Sequence, residues 1–113
     1  SADRDGNAAE WSSGFERVFA AAERVLDDDG PVTDCLARAF LDLLAERPDT
    51  LVAVEHGRER ADAVSREAAA VCGDLDAAEA LAERFVDEGI NPGTTADLTA
   101  AAAFVALERG VPL

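Results

Sequence analysis

Lysine, methionine and tyrosine do not occur in this 113-residue chain, tryptophan and histidine occur once each, and cysteine occurs twice. With one imidazole and two thiols set far apart, Cys35 and Cys72, no zinc or iron–sulfur ligand spacing can be written. Each cysteine falls on or beside an apolar helical stripe, the usual setting of a buried free thiol, with a disulfide as the alternative. Long apolar runs are also missing. Nothing approaches the ~20 residues needed to cross a bilayer, and no secretory signal precedes the first helical pattern, so a cytoplasmic domain is expected. No Ser-His-Asp arrangement, Walker loop, dinucleotide fingerprint or His-Glu-x-x-His is present.

The charge is one-sided. Twenty-four Asp and Glu stand against ten basic residues, all arginine, for a formal net charge of -14. Such a surface repels nucleic acid and anionic membranes, because both are bound by neutralising phosphate with Lys and Arg. The acids are scattered rather than gathered into a tail. Scattered acid without lysine reads as a folded, salt-adapted protein, in which counterions screen repulsion between carboxylates.

What the chain has in quantity is alanine, about a fifth of its residues, while aromatics make up 5%. Alanine has the best helix propensity, and strand-favouring residues are scarce. The fold class expected is therefore all-α, with a core of small residues and room for one domain. Residues 1–12 read as a flexible lead-in and 13–113 as a single helical domain. The abrupt start at Ser1-Ala2-Asp3-Arg4 reads like a cut from a longer protein.

Helical periodicity predicts a compact, bundle-like array of about five helices with short connections. Ser13 with Glu16 forms a capping box before Phe15, Val18, Phe19, Ala22, Val25 and Leu26. Asp27-Asp28-Asp29-Gly30-Pro31 closes that helix. Val32 to Leu44 follows and ends before Pro48. Asp49 can cap a third helix that runs to Cys72, interrupted at Gly57 by a kink or a close backbone approach. Within it, Asp62 and Arg66 are spaced as an i,i+4 pair. Gly73 and Asp74 cap the junction to a stripe of Leu75, Ala78, Leu81, Ala82, Phe85 and Val86. Gly89 takes the C′ position, with Ile90 making the accompanying apolar contact. The last helix starts with Thr94 and Asp97, packs Leu98, Ala101, Ala102, Phe104, Val105 and Leu107, and stops at Gly110 and Pro112.

The sharpest local feature is Asn91-Pro92-Gly93-Thr94-Thr95-Ala96-Asp97. A rigid Pro-Gly turn runs straight into a helix start, where free backbone N–H groups and two hydroxyls can cradle a phosphate. Asp97 in the first turn is placed to hold Mg²⁺ against it, since Mg²⁺ favours one or two carboxylates plus phosphate oxygens. The same residues are also ordinary capping residues, and that reading stays open. Asp49-Thr50 repeats the ambiguity at another helix start. His56, next to Glu55, is the single candidate for acid–base work near neutral pH.

Two stretches resemble a known family. They are Arg47-Pro48-Asp49-Thr50-Leu51-Val52-Ala53-Val54-Glu55-His56-Gly57 and Gly89-Ile90-Asn91-Pro92-Gly93-Thr94-Thr95-Ala96-Asp97-Leu98-Thr99-Ala100-Ala101. Both are similar to the C-terminal part of the triphosphoribosyl-dephospho-CoA synthases, whose Asn-Pro-Gly-Thr-Thr-Ala-Asp-Leu signature leads into an Ala-rich helix. The resemblance implies an all-helical, nucleotide-dependent transferase. It would join ATP, with Mg²⁺, to 3′-dephospho-CoA and release adenine. Asn91, Gly93, Thr94, Thr95, Asp49 and Thr50 would hold the nucleotide, Asp97 the metal, and Asp97 and His56 would serve catalysis. The implied partners are nucleotide and CoA-like small molecules and the N-terminal helices of a parent chain, without which this chain would be inactive. A homo-oligomer is left open. Where the family has an Arg-Lys pair this sequence has Val54-Glu55, which keeps two other readings in play: a related enzyme for another phosphorylated or nucleotide substrate, and a non-catalytic helical domain for assembly or regulation.

Overall fold

The computed structural model describes the backbone of residues 2–110 and the side chains of residues 14–110. Among the described residues six helices follow one another: α1 (Ala2–Asp27), α2 (Val32–Glu46), α3 (Thr50–His56), α4 (Arg58–Val71), α5 (Leu75–Glu88) and α6 (Gly93–Glu108). The described residues contain no strand, so the all-α expectation holds. The sixth helix comes from Gly57. Its φ of +91° and ψ of 161° lie where side-chain-bearing residues rarely go, so the expected third helix splits into α3 and α4. No other backbone comes close there, since a Cβ on Gly57 would meet nothing within 4 Å.

Most caps sit where the local signals put them. The Asp49 side chain accepts from the amides of Leu51 and Val52, and that of Asp74 from Ala77. Gly89 is left-handed at φ +70°, and the Ile90 amide reaches back to the Phe85 carbonyl at 2.8 Å while its side chain is buried. At the front, α1 begins at Ala2, so Ser13 and Glu16 lie inside a helix rather than at its start. Interior serine and glycine cost only about 0.5–1 kcal/mol each, which an alanine-rich helix absorbs. Ser1 and Pro112 lie outside the described residues.

Packing is organised around α2, which serves two apolar clusters instead of the one expected. Cys35, Ala39 and Leu43 face Val18, Ala22 and Val25 of α1 and Ala102 and Ala106 of α6. Leu41 and Leu44 face Val52, Val64, Leu81 and Phe85 of α3 to α5. The expected stripes on α1 and α6 need correcting in one respect. Helices α1 and α6 pack through Ala21, Ala22, Ala102 and Ala106, all fully buried, so small residues rather than rings fill their seam. Phe15, Phe19 and Phe104 are instead 53%, 44% and 63% exposed, and Leu107 is 45% exposed. The guanidinium of Arg109 lies 5.6 Å from the centroid of Phe19, a cation–π contact.

The acids are partly absorbed by arginine. Asp28, at the end of α1, accepts both Arg38 Nε at 2.7 Å and Arg38 Nη2 at 2.9 Å. Arg60 bridges Glu67 and Glu88, and Arg84 also reaches Glu67. Asp62 pairs backwards with Arg58 at 3.2 Å, not forwards with Arg66. Both cysteines are free, Cys35 in the α1–α2–α6 cluster and Cys72 packed against the other. Burial pushes both thiols up, and the nearby carboxylates of Asp28 and Asp42 push them further.

Candidate functional site

Between α1, the α2–α3 connection and the start of α6 lies a cleft of about 640 Å³, within the range of small-molecule sites. Its lining is apolar at Phe15, Val18, Leu98 and Ala101 and polar at Arg17, Arg47, Asp49, Thr50, Thr94, Thr95 and Asp97. The two stretches singled out in the sequence thus meet in one place.

Asp49 joins them. Its carboxylate is 2% exposed and is used on both oxygens. Oδ1 accepts the amides of Leu51 (2.9 Å) and Val52 (3.1 Å), closing the first turn of α3. Oδ2 accepts the amide and the hydroxyl of Thr95, both at 2.7 Å, across 46 residues of sequence. One side chain therefore caps two helices. A second tie runs above it, where the Thr50 and Thr94 hydroxyls lie 2.7 Å apart at the surface.

These bonds change what the α6 turn can offer. Helix α6 begins at Gly93 with Pro92 as N-cap, and Thr94 does not cap it. The Gly93 amide is turned back onto the Asn91 carbonyl at 2.8 Å, the Thr95 amide is taken by Asp49, and the Ala96 amide starts the helical ladder to Pro92. The expected cradle of free amides is mostly filled from within, by a carboxylate sitting where an anion would go. Thr95 is 2% exposed and acts as a fastener. Gly93 has a packing reason: a Cβ there would stand 2.8 Å from Leu51 Cδ2, so its bareness lets α6 start against α3.

Because α6 starts at Gly93, Asp97 falls just past its first turn and not in it as expected; it is exposed and lines the cleft. Among the described residues no group of three or more His, Cys, Asp or Glu could hold a metal. Asp49 has no lone pair to spare, its two oxygens already accepting four donors. The donor set does not suit an all-protein metal centre. It suits a Mg²⁺ carried on phosphates, which needs one carboxylate besides phosphate oxygens and water.

Of the sequence-predicted residues, Asp49, Thr50, Thr94, Thr95 and Asp97 converge on the cleft, while Asn91, Gly93 and His56 do not line it. His56 is exposed at the far end of α3, and its Nε2 lies 3.1 Å from the Gly89 carbonyl, tying α3 to the end of α5. Val54 and Glu55, where the sequence departs from the family's Arg-Lys pair, are exposed and line no part of the cleft. What sequence reasoning missed is the arginine pair. Arg17 lines the cleft from α1, with Nη2 donating to the Leu43 carbonyl at 2.7 Å and Nε buried without a hydrogen-bond partner. Burial, and next the like charge of Arg47, weakens its hold on its proton, with Glu46 acting in the opposite sense. Arg47 stood beside Pro48-Asp49 in the sequence and could have been suspected. No local signal marked Arg17.

No curated protein matches the chain. A crystal structure described as that of a candidate triphosphoribosyl-dephospho-CoA synthase from Archaeoglobus fulgidus superposes with a TM-score of 0.76 at 31% identity. The match covers 85% of this chain and 43% of that one. The chain thus spans less than half the length of the archaeal protein. Residues 1–111 match the family described as CitG: ATP:dephospho-CoA triphosphoribosyl transferase, and the chain belongs to that family.

Proposed function

We propose that this chain is the C-terminal helical part of a transferase that joins ATP to 3′-dephospho-CoA, and that its cleft receives the triphosphate-bearing nucleotide. The observation that carries the reading is the convergence of Arg47–Thr50 and Thr94–Leu98 on one amphipathic cleft, held by Asp49. The apolar lining residues suit a base and ribose, and the polar ones suit phosphates. In the reaction, the 2′-hydroxyl oxygen of dephospho-CoA bonds to the anomeric carbon of the ATP ribose as the carbon–nitrogen bond to adenine breaks. The hydroxyl gives up its proton and the departing adenine takes one up.

The part of this chain in that reaction is to bind and orient. The fastened turn sets Thr94 and Asp97 on the cleft edge, and Asp97 is the residue that would hold Mg²⁺ on the nucleotide. Mg²⁺ supplies charge neutralisation along the triphosphate. His56 is outside the cleft, so the base for the attacking hydroxyl is expected from the remainder of the parent enzyme. The exposure of Val54 and Glu55 away from the cleft is why the family substrate is favoured over a divergent one.

The test is adenine release, read by chromatography, with ATP, Mg²⁺ and 3′-dephospho-CoA. Turnover is expected from the full-length protein carrying these residues and not from residues 1–113 alone. Asp97→Asn should lower turnover at least about tenfold with the melting temperature unchanged, because an exposed carboxylate is replaced by its own shape. No adenine from the full-length protein would overturn the reading, and full turnover in Asp97→Asn would remove Asp97 from it.

A further inference from the structure

We infer that the outer face of α6, extended by Phe19 of α1, is the seat of the part of the family fold that this chain does not span. The inference rests on reading the chain as the C-terminal part of a larger transferase, and it says where the remainder docks. The sequence of α6 and its exposure do not match. Leu98 to Leu107 is the longest stretch of the chain without a charged residue. A helix apolar on every side belongs inside a protein. Yet α6 is buried along one side, at Thr95, Ala102 and Ala106. Ala96, Ala100, Phe104 and Leu107 follow one another at helical spacing along another side, all exposed, Phe104 at 63%. Helices α4 and α5 show the ordinary pattern, with Glu59 and Arg66 exposed on the first and Glu79, Glu83 and Asp87 on the second. Val54 and Val86 are exposed as well, but singly, next to Glu55 and Asp87, and single apolar residues at a surface need no partner. Phe19 carries the α6 face onto α1, its ring under the guanidinium of Arg109 from the end of α6.

Length, charge and the cleft together select the occupant. The match to the archaeal protein covers 85% of this chain but 43% of that one, so more than half of that chain has no counterpart among these residues. A second copy of this chain would bring a further net charge of -14 against the same surface, and an anionic membrane is repelled in the same way. A segment of the same polypeptide is held close by its connection, which raises its effective concentration at the face. The face also runs into the cleft, since Ala101, exposed three residues before Phe104, lines it. A segment seated on α6 therefore reaches the cleft edge. That is where the transferase reading needs a base from outside this chain, His56 being absent from the lining.

The test is maleimide labelling of the folded full-length protein, each rate divided by that of the same variant unfolded in urea. Ala100→Cys and Phe104→Cys report the α6 face, Val54→Cys and Val86→Cys serve as exposed references, and wild type supplies the blank for the native thiols. Ala100→Cys and Phe104→Cys are expected to react at least about tenfold more slowly than the faster reference, because labelling then waits on a local opening. Phe104→Cys removes a ring and can lose stability; Ala100→Cys adds one sulfur atom and decides the matter if Phe104→Cys does not fold. Labelling of Ala100→Cys as fast as the references overturns the inference. So does protection that fades over an about hundredfold dilution, which would seat a second copy on the face. Protection without adenine release from the full-length enzyme would leave this inference standing and sink the transferase reading. Adenine release with Ala100→Cys as open as the references would do the reverse.

Discussion

Asp49 offers the clearest test of how the cleft is held together. Its carboxylate satisfies four donors in a position 2% exposed. In Asp49→Ala all four lose their acceptor. A lost N-cap costs about 0.5–2 kcal/mol, and a buried donor left unsatisfied costs about 1–3 kcal/mol. With water reaching part of the gap, a total of about 3–5 kcal/mol is expected. Asp49→Asn separates the two helices. Its remaining oxygen can still cap α3, because Asn caps about as well as Asp. Its NH₂ group faces the Thr95 amide, donor against donor, so the loss falls on α6 alone, about 1–3 kcal/mol. Thr95→Val keeps the amide bond and the volume but removes the hydroxyl, for about 1–1.5 kcal/mol. Urea unfolding followed by circular dichroism gives these differences. In a domain of this size each kcal/mol corresponds to roughly 3–6 °C in melting temperature. The order Ala, then Asn, then Val is the expected ranking. In the double variant Asp49→Ala with Thr95→Val the losses should fall short of additive, because both remove the same bond. An Asp49→Asn protein as stable as wild type would mean that the carboxylate is not the fastener, and would return it to the list of ligands.

Two further outcomes are expected. The Arg38 guanidinium, and after it the Gly30 amide, hold the Asp28 carboxyl well below the usual carboxylate range. A depressed folded-state pKa contributes stability above the unfolded pKa of about 4 and loses it as pH falls further. Asp28→Asn should therefore lower the melting temperature near pH 7, with the gap to wild type closing below about pH 4; a gap unchanged between pH 6 and pH 2.5 would refute the assignment. The net charge of -14 opposes compaction around a core of small side chains, so thermal unfolding should shift upward as KCl is raised from ~0.1 M to ~2 M, by screening. A flat profile would argue against salt adaptation.

Composition and short-range pattern determined much of this protein. Alanine content with scarce strand formers made it helical, and Pro48, Gly89, Asp74 and Asp49 marked helix ends that the structure keeps, because caps and breaks act through bonds spanning a few residues. Gly57 was visible as an interruption, but only its positive φ shows a full break between two helices. Phe15, Phe19 and Phe104 were expected in the core because periodicity reports which face is apolar, not how closely two helices approach. Alanine contacts between α1 and α6 settled that. The site divides in the same way. Thr94, Thr95, Asp97, Asp49 and Thr50 stood out by type and spacing, yet each was equally a capping residue. Tertiary structure decided their roles by bringing two helix starts, 46 residues apart, onto one carboxylate. It also brought in Arg17 from α1, which no neighbouring residue announced. A hydrogen bond between distant segments leaves no trace in local sequence, since either residue alone is compatible with many partners and only packing selects one.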